Sequence, residues 1–199
     1  MAGRLVVVGL GPAGADLLVP AARAALEAID PARRFTRTAR HPAVADLAAE
    51  GIDLLGCDDI YETATSAEEV YPAISARLLA AAEEGDVALA VPGSPAVGER
   101  TVALLRQELG ERLVVVPGVS FAELAWIRLG VDPTDGARVA DGKALPSALP
   151  TGPLLISHCH SKLVLSDVKL ALLDRLPPEA EVTVLQRLGL PDEAVTTLP

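Results

Sequence analysis

Residues 86–101 read DVALAVPGSPAVGERT. The run from Val87 to Val91 is built of small and β-branched apolar residues, the composition of a strand buried on both faces. Pro92, Gly93, Ser94 and Pro95 stop that strand abruptly. From Val97 the spacing of Val97, Thr101, Leu104 and Leu105 is helical. A strand that passes through a glycine-containing loop into a helix is where open α/β sheets place ligands, at the strand's carboxyl end. The same design recurs in Leu113 to Val116, which Pro117 and Gly118 terminate, with Ser120 placed to cap a helix through Leu124 and Ile127. A third apolar strand, Leu5 to Leu10, ends in Gly11-Pro12. Pro-Gly pairs commonly do no more than punctuate turns. Three such loops at strand ends in one small chain predict a shared cleft.

The chain has 199 residues, half of them hydrophobic, enough for one good core or two small ones. Aromatic residues make up only 3%, so Ala, Leu and Val must build that core. The net charge of −10 argues against nucleic acid as the main partner, because phosphate neutralisation needs a basic surface. No apolar run is long enough to span a membrane, and MAGRLVVVGL lacks the length and cleavage site of a signal peptide. Cys57 and Cys159 form neither a metal-spaced motif nor a disulfide framework. A reducing cytoplasm is the expected compartment.

Gly9 to Gly14, GLGPAG, matches G-x-G-x-x-G, the turn that lets a backbone approach a pyrophosphate at a helix N-terminus. Pro12 is unusual inside such a turn, and the helix is expected late, with Pro20 in its first turn. The second strand, Arg34 to Thr38, is followed by Arg40 and His41 instead of the acid that binds a ribose. Arginine there suits a 2′-phosphate, which keeps NADP as a rival ligand. His41-Pro42 opens a helix over Ala43 to Glu50, closed by Gly51, and Ile52 to Leu55 reads as a short strand. Asp58 to Glu62 reads as an acidic, solvated loop. Ser66 to Glu69 has the S-x-x-E form of a capping box for a helix reaching Glu84.

Beyond Gly130, Ala137 to Ala140 and Leu154 to Ser157 read as strands joined by a Pro-rich link. Ser166 to Leu176 is expected to be a helix, and Glu181 to Leu185 the last clear strand. His158-Cys159-His160 follows a strand; if extended, both imidazoles share one face, a spacing that suits metal. No third ligand stands nearby, so a polar strand end lining the cleft is the preferred reading. Ser120 lies outside a G-x-S-x-G elbow, and nothing marks Cys159 as an activated thiol.

Together GLGPAG, VPGSPAVGERTV and VPGVSF resemble the tetrapyrrole (corrin/porphyrin) methylases. Within that family RTARHP (37–42), DDIYETATSAEEVY (58–71) and SDVKLALLDRLP (166–177) look most like the methylase-like N-terminal domain of MazG-type proteins. The likeness runs in order over nearly the whole chain. It implies two α/β domains of the class III methyltransferase type, expected at residues 1–118 and 119–199, with Ser120 to Gly130 as a hinge helix. It also implies a homodimer, and S-adenosylmethionine held in the cleft between the domains. By position Pro12, Gly93, Ser94 and Val97 would face that cofactor, joined by Ser120, Phe121, His158 and Leu188. Two departures stand out: Ala13-Gly14 replaces the family's Gly-Asp, and Gly93-Ser94-Pro95 replaces Gly-Asp-Pro. MazG-type relatives also lack the second Asp. The clustered acids of a pyrophosphohydrolase domain are absent from this sequence.

The expected function is therefore S-adenosylmethionine-dependent methyl transfer to a small-molecule acceptor. Close backbone approach at Gly93 and Gly118 serves alignment, and apolar Val97 and Phe121 exclude water. Asp141, Asp58 and His158 are the candidates to take a proton from the acceptor. The alternative is a binding or dimerising module for a nucleotide pyrophosphohydrolase, which the altered first loop favours.

Overall fold

A computed structural model describes residues 3–177 and 179–198; Met1, Ala2, Pro178 and Pro199 lie outside the described residues. The chain divides into two compact units, Met1–Phe121 and Ala122–Pro199.

In the first unit five strands form one parallel sheet: β1 (Leu5–Gly9), β2 (Arg34–Thr36), β3 (Leu55–Gly56), β4 (Val87–Val91) and β5 (Leu113–Val116). Their spatial order is β3-β2-β4-β1-β5. Every residue of β1 and β4 is buried, as the unbroken apolar runs require. Side-chain alternation divides the two strands between two cores. Leu5, Val7, Val87, Leu89 and Val91 pack on α4 (Ala67–Ala82) and α5 (Arg100–Leu109). Val6, Val8, Ala88 and Ala90 pack on α1 (Pro20–Glu27) and α2 (Pro42–Ala49). Helices thus cover both faces of the sheet.

Several elements differ from the sequence expectations. The acidic stretch is a short helix, α3 (Asp58–Thr63), because Ile60 is buried against α4 and Asp59 pairs with Arg77. The helix after the central loop starts at Arg100, not at Val97; Glu99 caps it by accepting from the Thr101 amide. The capping box at Ser66 does not form: the Ser66 side chain makes no cap bond, and the Glu69 carboxylate accepts from the amide and hydroxyl of Thr65. The third strand falls at Leu55–Gly56, later than Ile52, whose side chain is taken into the α1–α2 core.

The second unit contains two small sheets. β6 (Arg138–Asp141) pairs in parallel with β7 (Leu154–Ser157). β8 (Val182–Gln186) pairs antiparallel with β9 (Ala194–Leu198), a strand that the turn at Gly189 to Glu193 obscures in the sequence. α6 spans Phe121–Leu129, and α7 spans Lys162–Leu173. The latter begins one turn before Ser166, since the Ser161 hydroxyl accepts from the Val164 amide. Among the described residues no helix is long and apolar enough to cross a membrane.

Candidate functional site

The strand order determines where the three Pro-Gly loops go. β1 lies between β4 and β5, so the loops after all three strands emerge side by side at one sheet edge. From β1 the chain continues toward β2, past β4; from β4 it continues toward β5, past β1. The two connections pass on opposite faces of the sheet, one through α1 and the other through α5, and the carboxyl ends of the strands are the usual ligand position of such sheets.

Backbone atoms pack closely at these strand ends. Gly11 N–H donates to the Gly93 carbonyl at 3.1 Å, and Gly93 N–H donates to the Gly11 carbonyl at 2.7 Å. A Cβ on Gly118 would lie 2.6 Å from the Gly93 oxygen and 2.7 Å from Gly9 Cα. A Cβ on Gly9 would meet Gly118 Cα and the Gly93 oxygen, each at 2.7 Å. Such distances exclude any side chain, so these glycines are required by packing. Gly93 differs. Its φ is +67°, and a Cβ there would meet nothing within 4 Å. The open side of the loop cluster is therefore at Gly93, and its conformation rather than crowding demands glycine.

Ser94 Oγ accepts from the Ala96 amide at 3.3 Å, and the Ser94 carbonyl accepts from Val97 N–H at 3.1 Å, which folds residues 94–97 into a turn. Pro12 and Val97 are half-buried on the first and second loops, and Ser120 and Phe121 are half-buried where α6 begins. Six of the eight residues named from the resemblance thus lie in the first unit, five on its three loops and Phe121 as the first residue of α6. The other two belong to the second unit. His158 directly follows β7 and has a φ of +61°, so the stretch is not extended and His158 and His160 do not share a strand face. Leu188 lies in the turn after β8. Among the described residues no group of His, Cys, Asp and Glu could hold a metal ion.

Asp141 and His158 are paired: Asp141 Oδ2 lies 3.0 Å from His158 Nδ1. The Lys143 amide, acting against burial and aided by His158, holds the Asp141 carboxyl below the usual carboxylate range. Asp58 is engaged structurally. Thr38 Oγ1 and the Ala39 amide both donate to it at 2.7 Å, outweighing burial and lowering its pKa. Burial pushes the Cys159 thiol up, away from reactivity.

Two neighbours of the loops, Glu99 and His41, have roles that the sequence does not reveal. Glu99, its side chain only 2% exposed, accepts from Arg37 Nη1 at 2.8 Å. His41 is buried beside the Gly11 carbonyl, and its Nδ1 has no hydrogen-bond partner among the described residues. Both stand inside quoted motifs, RTARHP and VPGSPAVGERTV, and the local signal for Glu99 is a carboxylate directly before the helix that starts at Arg100.

The dinucleotide reading fares worse. A 3-10 turn at Ala15–Leu17 follows Gly14, and α1 starts only at Pro20, so no α-helix begins at the third glycine.

This arrangement is that of the class III methyltransferases, as the solved structures make plain. The uroporphyrin-III C-methyltransferase of Thermus thermophilus superposes with a TM-score of 0.69 at 32% identity, over 99% of this chain and 83% of that one. The precorrin-6Y methylase of Archaeoglobus fulgidus shares the fold at 19% identity, with a TM-score of 0.65 over 98% and 88% of the two chains. A Thermus thermophilus uroporphyrin-III C-methyltransferase solved with S-adenosylhomocysteine shares it at 20% identity, with a TM-score of 0.63 over 98% and 83%. Residues 4–199 match the family Tetrapyrrole (Corrin/Porphyrin) Methylases, and the chain belongs to it. A curated relative, the protein YabN of Bacillus subtilis (strain 168), is 35% identical over 204 residues, which cover all of this chain and 41% of YabN. The chain thus spans about two-fifths of that relative's length.

Proposed function

We propose that this chain binds S-adenosylmethionine on its three glycine loops and transfers the methyl group to a small-molecule acceptor. The observation that carries the reading is the convergence of Gly9, Gly11, Gly93 and Gly118, where backbone packs on backbone and only Gly93 faces open space. Such a surface allows a flat or extended ligand to approach the main chain closely. When bound, S-adenosylmethionine supplies a methyl group whose bond to sulfur breaks, the electron pair staying on sulfur, as the acceptor's bond to carbon forms.

The chain's own work is then mostly alignment. Pro12 and the turn Ser94 to Val97 would flank the ligand, and Val97, Ser120 and Phe121 would complete its surround. His158 and Leu188 enter from the family resemblance. Of the three groups proposed to accept a proton from the acceptor, Asp58 is consumed by Thr38 and Ala39. Asp141 and His158 remain the candidates, held to each other through Nδ1 at 3.0 Å. The negative net charge disfavours nucleic acid as that acceptor. The active form is proposed to be a cytoplasmic homodimer. The likeness to the N-terminal domain of MazG-type proteins belongs to the same proposal; the support is that YabN carries the matched region as one part of a longer chain.

Thermal denaturation with added ligand tests this. A ligand specific to the folded state contributes RT ln(1 + [L]/Kd), about 2.7 kcal/mol at a hundredfold excess over Kd. For a protein of this size that raises Tm by roughly 5–10 °C. S-adenosylhomocysteine should produce the shift without any acceptor, and NADP should not. A shift with NADP alone would overturn the proposal.

A further inference from the structure

We propose that RTARHP, residues 37–42, is a positioning bracket for the two loops after β1 and β4, with Arg37 and Glu99 as its working pair. The inference rests on the S-adenosylmethionine reading of those loops. These six residues lie on no strand and contribute none of the eight residues assigned to the ligand, yet side chains at the two ends of the segment reach the two loops.

The loop from Pro92 to Glu99 has two anchors. Its near end is held by the pair of hydrogen bonds between Gly93 and Gly11. Its far end is held by Glu99, whose Oε2 accepts from Arg37 Nη1 at 2.8 Å while Oε1 accepts from the Thr101 amide at 3.3 Å. Between the anchors lie Ser94, Val97 and Gly98, the last at a φ of +69°. Arg37 itself starts from a fixed base, since its amide donates to the Ala90 carbonyl at 2.9 Å, beside the end of β2. At the other end of the segment, His41 packs against the Gly11 carbonyl, and Pro42 opens α2. The middle is tied down by Asp58, which accepts from Thr38 and Ala39. One short segment therefore spans the cradle from Gly11 to Glu99.

A carboxylate this buried loses its hydration, and a single cation seldom returns more than that loss. An apolar pair of similar volume would serve the core as well. What the ion pair adds is direction, because the guanidinium and carboxylate meet in few orientations. Fixing the loop's end before ligand arrives lowers the ordering cost of binding.

The test compares Glu99→Ala, Arg37→Lys and the apolar pair Arg37→Met/Glu99→Leu by amide hydrogen exchange and by S-adenosylhomocysteine titration. In the ligand-free protein, Glu99→Ala and the apolar pair should speed exchange at residues 94–98 roughly tenfold or more, with β1 and β4 unchanged. S-adenosylhomocysteine affinity should fall in step, and Arg37→Lys should retain part of both. If Glu99→Ala does not fold, Glu99→Gln, which keeps the shape and the Thr101 cap, takes its place. Unchanged exchange at 94–98 in folded variants, or full affinity in the apolar pair, would overturn the bracket. Faster exchange in variants of a wild type that binds no S-adenosylhomocysteine would uphold the bracket and remove the cofactor reading instead.

Discussion

The two units handle the same kind of sequence differently. In the first unit a parallel sheet is covered on both faces, so Leu89 is fully buried and both core clusters lie within it. In the second unit the sheets have two strands each, and none of those strands is fully buried. Leu163 is 72% exposed and Leu170 63% exposed. Leu165, Val168, Leu172, Val182, Val184 and Leu198 line an apolar groove of about 320 Å³ in that unit. Two-stranded sheets cannot bury both faces of their strands and are marginal by themselves. The lesson is that the more deeply packed unit carries the glycine loops, where close backbone approach has to be held.

The comparison breaks most directly on one substitution made in both places. Leu89→Ala, in the fully buried β4, should cost about 2–5 kcal/mol of unfolding free energy. Leu170→Ala, on exposed α7, should stay within about 0.5 kcal/mol. Urea titrations of both variants check this, and equal losses would mean that the second unit is packed more tightly than its exposed leucines imply.

A smaller effect sharpens the contrast at two crowded glycines. In Gly118→Ala the new methyl meets Gly93 and Gly9 backbone at 2.6–2.7 Å, between strands that cannot separate. In Gly152→Ala it meets the Gly136 oxygen at 2.8 Å, within a link that can shift. Overpacking of this kind costs about 1–3 kcal/mol, and Gly118→Ala should lie at the upper end and Gly152→Ala at the lower. Calorimetric melting of the two variants decides it.

The smallest effect concerns pH. Burial lowers the His41 pKa below its ordinary 6.5; the Gly11 carbonyl opposes that, Arg37 reinforces it and Asp46 opposes it. A depressed imidazole pKa means that the unfolded chain binds the proton more readily than the folded one. Stability from this group is therefore complete above about pH 6.5 and is lost as pH falls from there through the folded pKa. His41→Gln should flatten the stability profile between about pH 7 and 5 relative to the parent. Chemical denaturation across that range, with the same slope in both proteins, would remove His41 from the acid sensitivity of the first unit.

Much of the first unit was legible because its signals are local. An apolar run stopped by Pro-Gly marks both a buried strand and the place where its loop begins, as Val87 to Gly93 and Leu113 to Gly118 do. Pro20 and Pro42 marked the starts of α1 and α2. The second unit is less legible, since half-exposed strands leave a weak pattern; α7 starts one turn before the spacing predicts, and β9 gives no clear strand signal. Asp58 to Glu62 misled because a short acidic helix looks like a solvated loop until Ile60 and Arg77 supply its partners.

What the sequence determined by itself was the kind of sheet and the chemistry of its loop ends, since strand period and chain-stopping residues act over a few neighbours. Only the tertiary structure decided that β1 separates β4 from β5, and so that Gly118 must meet Gly9 and Gly93. It alone joined Arg37 to Glu99, 62 positions apart. Backbone crowding and buried ion pairs depend on distances between segments remote in the chain, and such distances leave no period or motif in the sequence.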